Sequence, residues 1–172
     1  MNTLYRNCDS EKQLGKFSPV DGGPALALVE VSRAAIFGDV DNDGDIDIVV
    51  CNNNGPVRLL MNDVGHDQPW LGLRLVTADG RRDALGARVV VERSGQPPLV
   101  RRCHTDGSYL SSCDPRVLFG LGLEARVERV VVTWPDGTRE EWRDVAVWKY
   151  TTLQQGTGSK VVEAELGIGA VD

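Results

Sequence analysis

From Trp70 onward the chain reads as short apolar runs interrupted by Gly, Pro, Asp and Ser, and no segment sustains a helical period. Trp70-Leu-Gly-Leu-Arg-Leu-Val76 alternates in the manner of a strand with one buried face. Ala87-Arg-Val-Val-Val-Glu92 and Leu99-Val-Arg-Arg-Cys103 follow, separated by the turn-like Ser94-Gly-Gln-Pro-Pro98, and then Val117-Leu-Phe119. Val127-Glu-Arg-Val-Val-Val-Thr-Trp134 and Thr138-Arg-Glu-Glu-Trp142 are joined by Pro135-Asp-Gly137, residues that favour a tight hairpin turn. Strands around Tyr150-Thr-Thr-Leu153 and Lys160-Val-Val-Glu163 complete a pattern that predicts a small antiparallel β-sandwich or barrel.

Upstream, Thr3-Leu-Tyr-Arg6 reads as a short strand, Asp9 to Lys16 as a polar loop, and Phe17 to Val31 as an apolar stretch broken by Asp21-Gly-Gly-Pro24. Ala34-Ala-Ile-Phe37 and Ile46-Asp-Ile-Val-Val-Cys51 predict the two strands of a hairpin. Val57-Arg-Leu-Leu-Met61 adds a third strand after the turn Asn52-Asn-Asn-Gly-Pro56, and Asp63-Val-Gly-His-Asp-Gln-Pro69 reads as a linker.

The hairpin turn carries the chemistry. Asp39, Asp41, Asp43 and Asp47 stand at loop positions one, three, five and nine, with Gly44 at six. Alternate carboxylates around a tight turn converge on one point, and a hard divalent cation relieves their repulsion. Calcium accepts the irregular oxygen ligands that such a loop offers. Gly44 permits the sharp bend. Asp45, at position seven, would contribute its backbone carbonyl while its side chain points away. An EF-hand needs flanking helices and a Glu at position twelve. Here Val50 occupies that position and strands flank the loop, so the spacing predicts a calcium loop inside a β-hairpin. The plainer alternative is a solvated acidic turn without metal, but such a turn has no use for so many spaced carboxylates.

A chain of 172 residues holds one large or two small domains. A formal net charge of -6 and the lack of a basic stripe with interleaved aromatics argue against nucleic acid as a partner. No apolar run reaches the length of a membrane span. The N-terminus shows no basic region followed by an apolar core, so a signal peptide is not visible. Cys8, Cys51, Cys103 and Cys113 lack the paired spacing of a zinc site. Cys103 and Cys113 flank a turn-like segment and could form a disulfide, with Cys8 and Cys51 as a second pair. The other reading is four buried, reduced thiols.

Signals for catalysis are weak. His104, Asp106 and Ser108 are sequence neighbours, and a turn held by side-chain hydrogen bonds accounts for them better than a triad does. His66 lies in the linker. Trp70 and Trp134 fall in strand patterns and are expected in the core, whereas Trp142 and Trp148 leave an aromatic carbohydrate platform open. Arg81-Arg82 and Arg101-Arg102 read as solvated surface. Gly120-Leu-Gly122 lacks the spacing of a dinucleotide loop.

Residues 34–62, through Phe37-Gly-Asp-Val-Asp-Asn-Asp-Gly-Asp-Ile-Asp-Ile-Val-Val50 and Asn54-Gly-Pro56, resemble an FG-GAP or VCBS-type repeat. Residues 70–142 resemble the ASPIC and UnbV domain through Trp70-Leu-Gly-Leu-Arg-Leu75, Gly86-Ala-Arg-Val89, Gly107-Ser-Tyr-Leu-Ser111, Phe119-Gly-Leu-Gly122 and Val132-Thr-Trp-Pro-Asp-Gly137. Their order is similar to the C-terminal part of cartilage acidic protein-like proteins. The resemblance implies an all-β chain: one propeller-blade-like calcium repeat plus a small antiparallel β-sandwich or barrel domain. Residues 1–33 are then a remnant of a preceding repeat with a connecting loop, 34–62 the calcium repeat, 63–69 a linker, 70–166 the ASPIC and UnbV-like domain and 167–172 a tail.

The resemblance also implies calcium as cofactor, held by Asp39, Asp41, Asp43, Asp45 and Asp47. It implies a secreted, extracellular or periplasmic location. The residues themselves offer no acid–base pair or nucleophile, so no catalytic residue is expected, and the partner is expected to be a protein or carbohydrate. Relatives encoded beside enediyne biosynthesis genes suggest the alternative of an enzyme or accessory protein of secondary metabolism. A single blade leaves apolar faces and sheet edges uncovered. The expectation is therefore a C-terminal piece of a longer propeller protein, as from a truncated gene, or a repeat packed on the second domain or self-associated through its blade face.

Overall fold

A computed structural model describes residues 3–8, 15–64, 67–107, 109–123 and 126–161. The elements run β1 (Leu4–Asn7), β2 (Phe17–Val20), a single helical turn α1 (Gly23–Leu26), β3 (Ser32–Gly38), β4 (Asp47–Asn52), β5 (Arg58–Leu60) and β6 (Trp70–Val76). They continue as β7 (Arg88–Arg93), β8 (Gln96–Arg102), β9 (Val117–Gly120), β10 (Val127–Thr133), β11 (Arg139–Trp142), β12 (Tyr150–Gln154) and β13 (Ser159–Lys160). The fold is all-β, as expected. The strands form four open sheets, ordered β1-β2, β3-β4-β5, β12-β6-β9 and β13-β11-β10-β7-β8, and none closes into a barrel.

The core belongs to the second half of the chain. On β6 the alternation puts Leu71, Leu73 and Leu75 on one face, where they meet Phe119 and Leu121 from β9 and its exit, and Leu153 from β12. Val89 and Val91 of β7 and Val130 and Val132 of β10 close the core from the larger sheet, with Trp134 beyond the end of β10. The registers Val130↔Val91 and Val132↔Val89 keep these four valines in line. Burying each such side chain contributes about 1.5–3 kcal/mol. On the outer face of the same sheet Arg129 bridges Glu92 at 2.6 Å and Glu141 at 2.9 Å.

Two features depart from the sequence reading. β6 pairs with β12 in parallel, Gly72↔Tyr150 through Val76↔Gln154, within an otherwise antiparallel framework. β8 begins at Gln96, so Pro97 and Pro98 lie in a strand rather than a turn. Proline removes a ladder donor and is tolerated at a sheet edge. β8 is the edge strand, and its pairing with β7 is irregular between Val91 and Arg93.

In the first half, β3 and β4 form the predicted hairpin, and β5 pairs with β4. Ala35↔Val50, Phe37↔Ile48 and Ile48↔Leu60 align an apolar face. An open groove of about 1060 Å³ lies over it, lined also by Leu4 and Leu26. Among the described residues no helix is long and apolar enough to cross a membrane.

Candidate metal centre

The turn between β3 and β4 is built from its own side chains. Asp39 accepts the amide of Asp43 on Oδ1 at 3.1 Å and that of Gly44 on Oδ2 at 3.0 Å. Asp43 accepts the amide of Asp45 at 3.0 Å. Asp47 takes the amides of Val40 at 2.8 Å and Asn62 at 2.9 Å, one on each oxygen, and so ties the turn to the exit of β5. Asn42 and Gly44 adopt positive φ values of 64° and 97°, which reverse the chain within a few residues.

The outcome is a concentration of negative charge with little to neutralise it. Carboxylate oxygens of Asp39, Asp41 and Asp43 lie within 4.8 Å of one another. Asp47 stands outside that trio, held by its two amides, with one lone pair left on each oxygen. The Asp45 side chain is buried: it is only 8% exposed, and neither carboxylate oxygen has a hydrogen-bond partner among the described residues. Burial pushes its carboxyl up to about 6, helped by repulsion from Asp43, Asp47, Asp41 and Asp39. Asp41 is raised by the same two causes, lost hydration and then its acidic neighbours.

A buried, unpartnered carboxylate is costly, and a cation is the usual remedy. The donors are all oxygens, which suits a hard ion such as calcium and not a thiolate- or imidazole-seeking metal. The residues present therefore fit the group that the sequence implies.

The loop does not stand alone. The outer face of the β12-β6-β9 sheet, opposite the leucine core, receives it. Gly72 has no side chain, and Tyr150 lies in the space: a Cβ there would sit 2.3 Å from the phenol ring. The ring is tilted against Trp70 at 5.2 Å, and the Arg116 guanidinium stacks over it at 4.0 Å. The Tyr150 hydroxyl donates to Asp39 Oδ2 at 2.8 Å. Burial and that bond hold its proton well above the ordinary tyrosine range. Arg116 donates to the Asp39 carbonyl at 2.6 Å and to Asn42 Oδ1 at 2.5 Å, while Asp114 anchors it at 2.6 Å. The Asp114 amide in turn donates to the Phe37 carbonyl at 3.0 Å, on the outer edge of β3.

Sequence reasoning missed Arg116 and Tyr150 as neighbours of the loop. Gly72 was the available signal, since an isolated glycine within a strand pattern marks close approach by another group.

Of the remaining candidates, Arg101, Arg102, His104, Asp106 and Cys113 line a cavity of about 300 Å³ together with Asp39, Arg116 and Tyr150. All four cysteines are free, so of the two readings the reduced thiols hold and neither Cys103–Cys113 nor Cys8–Cys51 is bridged. Cys103 is buried in the core and donates to the Pro115 carbonyl at 3.2 Å, and burial pushes its thiol up to about 11. His104 contacts the Asp106 carbonyl at 2.9 Å, a local turn contact. Ser108 and His66 lie outside the described residues. Trp70 and Trp134 are buried as expected. Trp142 packs edge-on against Trp134 at 6.2 Å, and Trp148 is about half exposed without an aromatic neighbour among the described residues. Arg81, Arg82, Arg101 and Arg102 are exposed.

Residues 77–160 match the family described as ASPIC and UnbV. The chain is 27% identical over 139 residues to cartilage acidic protein 1 of Homo sapiens and, to the same extent, to that of Mus musculus. The matched region is 79% of this chain and 21% of each relative, so the chain spans about a fifth of their length.

Proposed function

We propose that this chain is a calcium-binding, non-catalytic β module of an extracellular protein, used for binding, adhesion or assembly, with residues 34–62 forming an FG-GAP or VCBS-type repeat. The observation that carries the reading is Asp45, a buried carboxylate without a partner beside four other carboxylates. Calcium would be held by Asp39, Asp41, Asp43 and Asp47 through their side chains, and by Asp45 through its carbonyl, with its carboxylate neutralised alongside. Its part is structural: it ties one turn of hairpin into a fixed shape and adds its binding energy to folding.

The extracellular assignment is supported by the similarity to cartilage acidic protein 1. Binding to a protein or carbohydrate partner, or to a second copy, is supported by the apolar groove over β3, β4 and β5, where Phe37, Leu59 and Met61 remain substantially exposed.

The test is a calcium titration by calorimetry on EGTA-stripped protein, with thermal melts alongside. One site with a rise in melting temperature is the expected result. Absence of both heat and stabilisation would overturn the reading.

A further inference from the structure

We propose that the second module completes the cation site: Tyr150 and Arg116 act as positioning residues for Asp39, and cation occupancy of the 39–47 loop is thereby coupled to the packing of β12 on β6. The inference rests on the calcium reading above and extends it across the boundary between the two halves.

The lone pairs of Asp39 decide which atom is available. Among the described residues its Oδ2 accepts two donors, the Gly44 amide and the Tyr150 hydroxyl, whereas Oδ1 accepts only the Asp43 amide. A carboxylate oxygen offers two lone pairs. Oδ1 therefore carries the free one, and the Tyr150 hydroxyl helps to fix the carboxylate that presents it. Without that hydroxyl Oδ2 regains a lone pair and the carboxylate loses one of the bonds that orient it. Groups that orient a ligand without touching the metal typically change affinity by about 10–100-fold when removed.

Arg116 acts on the backbone of the same loop. It holds the Asp39 carbonyl and the side chain of Asn42, the residue whose positive φ starts the reversal. Its guanidinium is pinned between Asp114 and the Tyr150 ring, so both positioning groups form one stack on Gly72. A lysine has no planar fork with which to hold these partners together. Whatever orders the loop therefore also orders Tyr150, and through it the parallel pairing of β12 with β6.

The experiment compares calcium binding by calorimetry in wild type, Tyr150→Phe and Arg116→Lys, with amide hydrogen exchange measured in EGTA and in saturating calcium. Tyr150→Phe keeps the ring and its packing, so the metal-free protein is expected to stay folded. The Kd is expected to rise roughly 10-fold in each variant with the one-site stoichiometry kept. In wild type, calcium is expected to slow exchange in residues 150–154 as well as in the loop, and in Tyr150→Phe only in the loop. Should either variant fail to fold, the other carries the comparison, together with the wild-type exchange pattern. Binding by wild type with unchanged Kd in the variants, or protection confined to the loop in wild type, overturns the coupling alone. No uptake by wild type overturns the calcium site and the coupling with it.

Discussion

Gly44 packs against the indole of Trp70: a Cβ at this glycine would sit 2.2 Å from the indole nitrogen. The contact joins the bend of the acidic turn to the first residue of β6, and it uses both properties of glycine, the absent side chain and the positive φ of 97°. Gly44→Ala must strain the backbone and displace the indole together. We expect it to destabilise the protein by about 3 kcal/mol, from backbone strain and overpacking. The check is a double-mutant cycle with Trp70→Ala in chemical denaturation. A coupling energy near zero would show that the contact does not matter.

The same contact supplies an optical test. Terbium substitutes for calcium in oxygen-ligand loops, and its emission is sensitised only by an aromatic group close by. Excitation of tryptophan should light terbium bound to the loop, and Trp70→Phe should remove most of that signal while Trp134, Trp142 and Trp148 remain. Undiminished emission from Trp70→Phe would place the lanthanide elsewhere.

Asp41→Ala should lower the melting temperature in calcium and leave it unchanged or slightly raised in EGTA, because Asp41 is an exposed member of a repelling cluster. Calcium at about 100 times its Kd adds roughly 2.7 kcal/mol, worth about 5–10 °C for a domain of this size. That increment is what the variant should lose. Equal shifts under both conditions would contradict a ligand role.

Acidity should act with opposite sign in the two states. Asp45 is held at about 6 in the fold against an ordinary 3.8, so the folded protein binds its proton more tightly than the unfolded chain does. The stability this confers is fully present below about pH 4 and is lost as pH rises through about 6. EGTA-treated protein should therefore lose stability from this group between those values. Calcium-loaded protein should gain stability over the same window, since the cation needs the deprotonated form, and loading near pH 6 should release protons. Melting temperatures across this range, with and without calcium, give the two slopes. Parallel slopes would rule out Asp45 as the linked group.

Thiol labelling should separate the cysteines. Cys103, buried and with its thiol held near 11, should react only on unfolding, whereas partly exposed Cys113 should label in the native protein. Rapid native labelling of Cys103 would mean that the core around it opens readily.

The acidic turn and the β6 strand were legible because each is a local pattern. The hydrogen bonds made inside Asp39 to Asp47 link residues no more than seven apart, and the Trp70–Val76 alternation matches the strand residue for residue. What failed was information carried at long range. Arg116 reaches Asp39 over a separation of 77 residues and Tyr150 over 111, and neither sits in a motif that announces the contact. Pro97 and Pro98 suggested a turn because their tolerance depends on β8 being an edge, a property of sheet order. The cysteine spacing left a bridge and reduced thiols both open, because it could not reveal that Cys103 faces the core and bonds to Pro115.

The parallel pairing of β6 with β12 has a temporal consequence. During synthesis the acidic turn emerges long before Tyr150, and the strand that orients Asp39 arrives only near the end of the described chain. Contacts over such separations pay their loop-closure cost late. If the loop binds a cation as proposed, full capture belongs to the last stage of folding, and a chain halted before β12 would carry the carboxylates without the Tyr150 hydroxyl bonded to Asp39.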